Sequence, residues 1–136
     1  MSEASEGALP FDLIGGEARV RELAERFYDA MERTEPALVA VHEQDAPGKV
    51  SRRSRDRFAL FLIGWLGGPQ HYIQQHGHPR LRMRHGHVPI GLELRDAWMR
   101  AMELALDECG VEGELRGFLS ARFSEVADFM RNREGV

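Results

Sequence analysis

Apolar residues recur at Val20, Leu23, Ala24, Phe27, Tyr28 and Met31 in steps of three and four, so all lie on one face of a helix that Gly15-Gly16 introduces. Pro36 interrupts this pattern, Ala37 to Val41 have room for one short helical turn, and Glu43 to Lys49 are polar. A second amphipathic stripe follows through Phe58, Phe61, Leu62, Trp65 and Leu66. Gly67-Gly68-Pro69 ends it, because glycine accepts left-handed angles and proline cannot continue the hydrogen-bond ladder. Gly67 to Gly91 shows little periodicity, yet its Leu81, Met83, Val88 and Ile90 call for burial. A long segment of that kind is usually functional. Two more helices are predicted, one carrying Leu94, Ala97, Trp98, Ala101, Met102 and Ala105, the other Leu115, Phe118, Leu119, Phe123, Val126, Ala127 and Met130. Strand alternation, internal repeats and a second domain leave no trace in the pattern. The expected fold class is therefore all-α, with four main helices and a long histidine-bearing loop.

Composition narrows what such a fold does. A chain of 136 residues with 43% hydrophobic and 29% charged residues has room for one domain and one core, so function sits in a pocket of that core. We expect a flexible extension over residues 1–10, acidic and without a secretory pattern, followed by a single domain over 11–136. The longest apolar run, Ala59 to Leu66, is far too short to span a bilayer. The net charge of −4 argues against a general nucleic-acid binder. The single cysteine, Cys109, suits a reducing compartment, and a cytoplasmic location is expected.

Two features then stand out. Five of the six histidines, His71, His76, His78, His85 and His87, fall within one short stretch. Arginines cluster at Arg52, Arg53, Arg55 and Arg57 and again at Arg80, Arg82 and Arg84, either as solvated faces or as two groups approaching one anion. Zinc sites usually recruit Cys, Asp or Glu beside histidine, and the loop supplies none. Of the histidines, His85 is framed by Leu81-Arg82-Met83-Arg84 and Val88-Pro89-Ile90, whose apolar members anchor it to the core, whereas His87 lacks such framing. Tyr28 and Trp98 lie on apolar helix faces. They either fill core or bring two polar hydrogens from different helices toward one small ligand. Phe27, Phe58, Phe61 and Phe118 offer flat apolar walls to a planar cofactor, or are simply core. A phosphate-cradling loop, a Ser/His/Asp order and paired catalytic carboxylates leave no signature, so hydrolysis has no support.

Four segments carry a more specific signal: Arg26-Phe27-Tyr28; Gly64-Trp65-Leu66-Gly67-Gly68-Pro69; Gly77-His78-Pro79-Arg80-Leu81-Arg82-Met83-Arg84-His85; and Arg95-Asp96-Ala97-Trp98. With Trp98 thirteen residues after His85, the chain resembles the group II truncated haemoglobins from roughly Phe11 to Met130. The resemblance implies a two-over-two α-helical sandwich around haem b, with His85 as the proximal iron ligand and the opposite position left for a gas. It further implies that Arg57, Arg84 and Tyr72, with Arg82 as a further candidate, meet the haem propionates. Phe58 is expected on the distal face, and Phe61 and Leu62 at the haem edge. Tyr28, Trp98 and His42 correspond to the family's distal polar positions, where they stabilise a partly negative bound gas. Ser54 falls where other globins often have a larger gating residue, which leaves room for a ligand entry route.

Within that resemblance three roles are open: reversible dioxygen binding, redox chemistry on nitric oxide or peroxide (peroxidase-like or nitric oxide dioxygenase-like), and ligand sensing. All need the same iron, histidine and polar pocket. Expected partners are dioxygen, carbon monoxide or nitric oxide and a reductase that restores ferrous iron, with no nucleic acid and no membrane, in a monomer or homodimer. The alternative from another class is a non-haem helical module whose histidines hold a metal or form a partner-binding surface.

Overall fold

A computed structural model describes residues 8–77 and 91–130. Of the expected extension, residues 1–7 lie outside this range, and Leu9 leads directly into the first helix. In chain order the elements are α1 (Pro10–Ile14), α2 (Glu17–Thr34), α3 (Pro36–Val39), the hairpin β1 (Gln44–Ala46) and β2 (Lys49–Val50), α4 (Arg52–Trp65), α5 (His71–His76), α6 (Leu92–Glu108) and α7 (Gly113–Met130). The four long helices are those predicted from the apolar spacing. α2 packs mainly on α6 and α4, α6 on α7, and α4 on α5.

Local chemistry sets the boundaries. The turn between α1 and α2 needs glycine, since Gly15 and Gly16 hold φ of 116° and 87°. α2 stops at Glu35, whose conformation is restricted by the following Pro36, and Pro36 opens α3. Ser51 caps α4 by accepting from the Ser54 N–H at 3.0 Å. After α4, Gly68 is required for lack of room: a Cβ there would meet the Phe11 ring at 2.5 Å and the Ile63 carbonyl at 2.9 Å. The Phe11 N–H donates to the Leu66 carbonyl at 2.9 Å, which locks α1 across the same corner.

The core follows the predicted stripes. Val20, Leu23, Phe27 and Met31 of α2 meet Leu62 and Ile63 of α4, Met102 and Leu106 of α6, and Leu119 and Phe123 of α7. Each such side chain contributes about 1.5–3 kcal/mol when fully buried. Ala97, Ala101 and Ala105 form a small-residue line along α6, which lets α2 approach closely. At the end of α2, Arg100 of α6 grips the buried Glu35 carboxylate with two bonds of 2.8 and 3.0 Å.

One element was not foreseen and two expectations need correction. The polar stretch after His42 forms a two-stranded antiparallel hairpin, turning at Gly48 with φ 78°. The segment from Gly67 to Gly91 contains helix α5, while residues 78–90 fall outside the described range. Phe118 is half exposed, because it precedes Leu119 and so sits about 100° round the helix from the buried line Leu119–Phe123–Ala127. Among the described residues no helix is long and apolar enough to cross a membrane.

Candidate ligand pocket

Three helices and one short turn bring the predicted polar residues together. Tyr28 is buried on α2, and its ring meets Phe27, Phe58 and His42 edge-on, with centroids 5.0, 5.7 and 5.9 Å away. Trp98 comes from α6 and packs edge-on against Phe27 at 5.2 Å and Phe58 at 6.3 Å. Phe27 and Phe58 are thus both neighbours of Tyr28 and of Trp98. His42 is placed by α3, since one turn brings its Nδ1 within 2.8 Å of the Leu38 carbonyl. A carbonyl only accepts, so Nδ1 carries the proton and, in the neutral ring, Nε2 is the acceptor.

From Phe58 the aromatic wall runs on. Phe61 stacks on Phe58 at 6.2 Å and on Trp65 at 6.4 Å, Tyr72 of α5 meets Phe61 edge-on at 6.2 Å, and Trp65 stacks on Phe123 at 5.0 Å. Leu62 is fully buried behind this wall. Trp65 and Phe123 are wall residues that the sequence analysis did not single out. The α7 spacing Leu119–Phe123–Ala127 was the signal for Phe123.

The chemistry of the donors fits a polar ligand in an apolar cleft. No hydrogen bond joins the Tyr28 hydroxyl or the Trp98 indole to another described residue, yet no side-chain polar atom in the described interior is sealed off without a partner. Both donors therefore reach accessible space. Burial pushes the Tyr28 phenol well above its ordinary value, against the pull of the Arg55 charge, so the hydroxyl keeps its proton and can donate.

The first arginine cluster divides. Arg52 pairs with Glu25, Arg53 with Glu43, and Arg55 with Glu25, Asp29 and Glu32. Arg52 and Arg53 thus stay at the surface and Arg55 points inward to α2, which corrects the idea of one cluster facing one anion. Arg57 alone of the four has no carboxylate partner among the described residues. Burial alone would pull the Arg55 guanidinium down, but its bonds to Glu32, Glu25 and Asp29 outweigh that and hold it above the ordinary range. Ser54 is engaged in the α4 cap, 3.1 Å from Ser51 Oγ. Arg82, Arg84 and His85, with His78 and His87, lie outside the described residues. Among the described residues no three His, Cys, Asp or Glu side chains converge as metal ligands. An open cleft of about 700 Å³ elsewhere, between the end of α2 and α6, is lined by Glu35, Arg100, Met99 and Leu104 and includes none of the pocket residues.

The four long helices, and the aromatic residues that surround Tyr28 and Trp98 between them, agree with the globin fold that the sequence resemblance implies. The bacterial-like globin family matches residues 10–132, and the chain belongs to that family, as a truncated haemoglobin of group II. It is 37% identical over 124 residues to the group 2 truncated haemoglobin YjbI of Bacillus subtilis, covering 91% of this chain and 89% of that one. Its fold is similar to the cold-adapted truncated haemoglobin of the Antarctic bacterium Pseudoalteromonas haloplanktis, with a TM-score of 0.85, 39% identity, and coverage of 93% and 100% of the two chains. It is also similar to the truncated oxygen-avid haemoglobin of Bacillus subtilis, with a TM-score of 0.81, 36% identity, and coverage of 92% and 100%.

Proposed function

We propose that this globin holds haem b through His85 and retains dioxygen tightly in a pocket whose donors are Tyr28, Trp98 and His42. The observation that carries the reading is the convergence of Tyr28 and Trp98, from different helices, around Phe58 with neither donor spent on a described protein partner. Phe58, Phe61 and Leu62 supply apolar wall to the cofactor. Arg57, Arg84 and Tyr72, with Arg82 in reserve, answer the two propionate carboxylates. Haem, once bound, supplies the iron on which a diatomic gas is held and reduced or oxidised chemistry becomes available. The residues of the chain do the rest: they exclude water and offer hydrogen bonds to a partly negative ligand.

Several donors in one apolar pocket favour slow release over rapid transport, as the oxygen-avid relative from Bacillus subtilis suggests. Low-turnover scavenging of nitric oxide or peroxide, served by a separate reductase in the cytoplasm, suits such retention. Residues 11–136 then act as one domain, in a monomer or homodimer. Haem titration of the purified protein tests the reading: a saturable, intense Soret band at one haem per chain supports it, and a colourless protein that cannot be reconstituted overturns it in favour of a non-haem helical module.

A further inference from the structure

Of the four arginines at the start of α4, Arg55 is the one turned into the protein. Its guanidinium carbon stands 5.5 Å from the centroid of the Tyr28 ring. It donates to Glu25 Oε1 at 2.8 Å, Asp29 Oδ1 at 3.0 Å and Glu32 Oε2 at 2.8 Å. These carboxylates follow one another at steps of four and three along α2, and Tyr28 lies between them, three residues after Glu25 and four before Glu32. The stripe that carries the tyrosine therefore also carries the three anchors of the cation beside it. Glu32 is fixed in turn by the Val50 N–H at 2.8 Å, and Glu25 by Arg52 at 2.6 Å.

We propose that Arg55 is the positioning residue for Tyr28: held by three α2 carboxylates, its guanidinium covers the phenol ring and keeps the hydroxyl aimed into the pocket as a donor. The geometry suits arginine specifically. A planar fork serves several carboxylates at once and lies against a ring, and a lysine ammonium does neither as well. The aromatic contacts of the ring are edge-on ones from Phe27, Phe58 and His42, and Arg55 brings a cation to it. Its positive charge also opposes the effect of burial on the phenol and strengthens the O–H as a donor. A purely structural clamp between α2 and α4 would use the same ion pairs without affecting what Tyr28 does.

The inference rests on Tyr28 being a donor to the pocket ligand, as proposed above, and the experiment separates the two. Haem-loaded wild type, Arg55→Met, Arg55→Lys, Tyr28→Phe and the Arg55→Met/Tyr28→Phe pair are compared by the C–O stretching frequency of the carbon monoxide complex, by dioxygen release rate and by thermal midpoint. Arg55→Met should raise the stretch in the direction of Tyr28→Phe and speed dioxygen release roughly 2- to 10-fold, the range a partly desolvated cation–π contact spans. Arg55→Lys should do the same to a smaller degree, and replacing Arg55 in the Tyr28→Phe background should add nothing. Arg55→Met leaves Glu25, Asp29 and Glu32 facing one another; if it fails to fold, Arg55→Lys in both backgrounds carries the same comparison. A folded Arg55 variant with a lowered midpoint but an unmoved stretch, or effects that add to those of Tyr28→Phe, would overturn the inference and leave the Tyr28 reading intact. A Tyr28→Phe protein whose stretch matches wild type would overturn both.

Discussion

Replacing Trp98 with Phe isolates what an indole hydrogen does in this pocket. The phenyl ring retains contact with Phe27 and Phe123, whose centroids lie 5.2 and 5.8 Å from the indole, so the apolar wall largely survives. What disappears is the N–H that, on the function proposed above, is offered to a ligand with partial negative charge. A hydrogen bond to a charged group contributes about 1.5–3 kcal/mol. The lower end applies here, because Trp98 is only partly buried and Tyr28 remains as a second donor. About 1.5 kcal/mol corresponds to roughly tenfold faster dioxygen release, measured by stopped-flow displacement with carbon monoxide. Carbon monoxide gathers less charge, so its own release should change much less. Equal acceleration of both gases would refute the donor argument and make Trp98 a barrier on the escape path.

Other outcomes follow from single contacts. Glu35→Gln should lower stability at pH 7 by about 1 kcal/mol, since the carboxylate is buried but its partner Arg100 is mostly exposed. The bond to Arg100 holds the Glu35 carboxyl below the ordinary carboxylate range despite the opposing effect of burial, so this contribution is present above that range and is lost as pH falls through the lowered pKa; urea midpoints that differ equally at pH 3 and pH 7 would contradict it. Gly68→Ala should cost about 1–3 kcal/mol by overpacking against Phe11 and the Ile63 carbonyl, read as a fall in thermal midpoint, and an unchanged midpoint would show that the corner yields. Replacing His42 with Phe removes the ring held at the Leu38 carbonyl and should speed dioxygen release, read by stopped flow, and an unchanged rate removes His42 from the mechanism.

The long helices were legible because each buries one continuous stripe, and a three-and-four spacing encodes that directly. The hairpin was not, since Gln44–Ala46 is exposed throughout and has no alternation; a side chain helps to hold it instead, with Gln44 Oε1 accepting from the Gly48 N–H at 2.9 Å. α1 is five residues long, too short for a period to show. In the pocket, the residue types of Tyr28 and Trp98 and their placement on apolar faces were visible, but their convergence on Phe58 depends on how α2, α4 and α6 pack. Arg55 looked like its neighbours. The clue was on the other helix, where Glu25, Asp29 and Glu32 line up on one face and call for a cation opposite.

Haem binding as proposed depends first on the iron ligand. His85 and His87 are two residues apart and equally able to bind metal, so each serves as the control for the other. The direct measurement is the visible absorption spectrum of the haem-reconstituted ferrous protein, with and without added imidazole. His85→Ala should lose stable haem retention, or recover a five-coordinate spectrum only with imidazole, while His87→Ala should match wild type. The reverse pattern, with His85→Ala unchanged and His87→Ala unable to hold haem, would contradict the account.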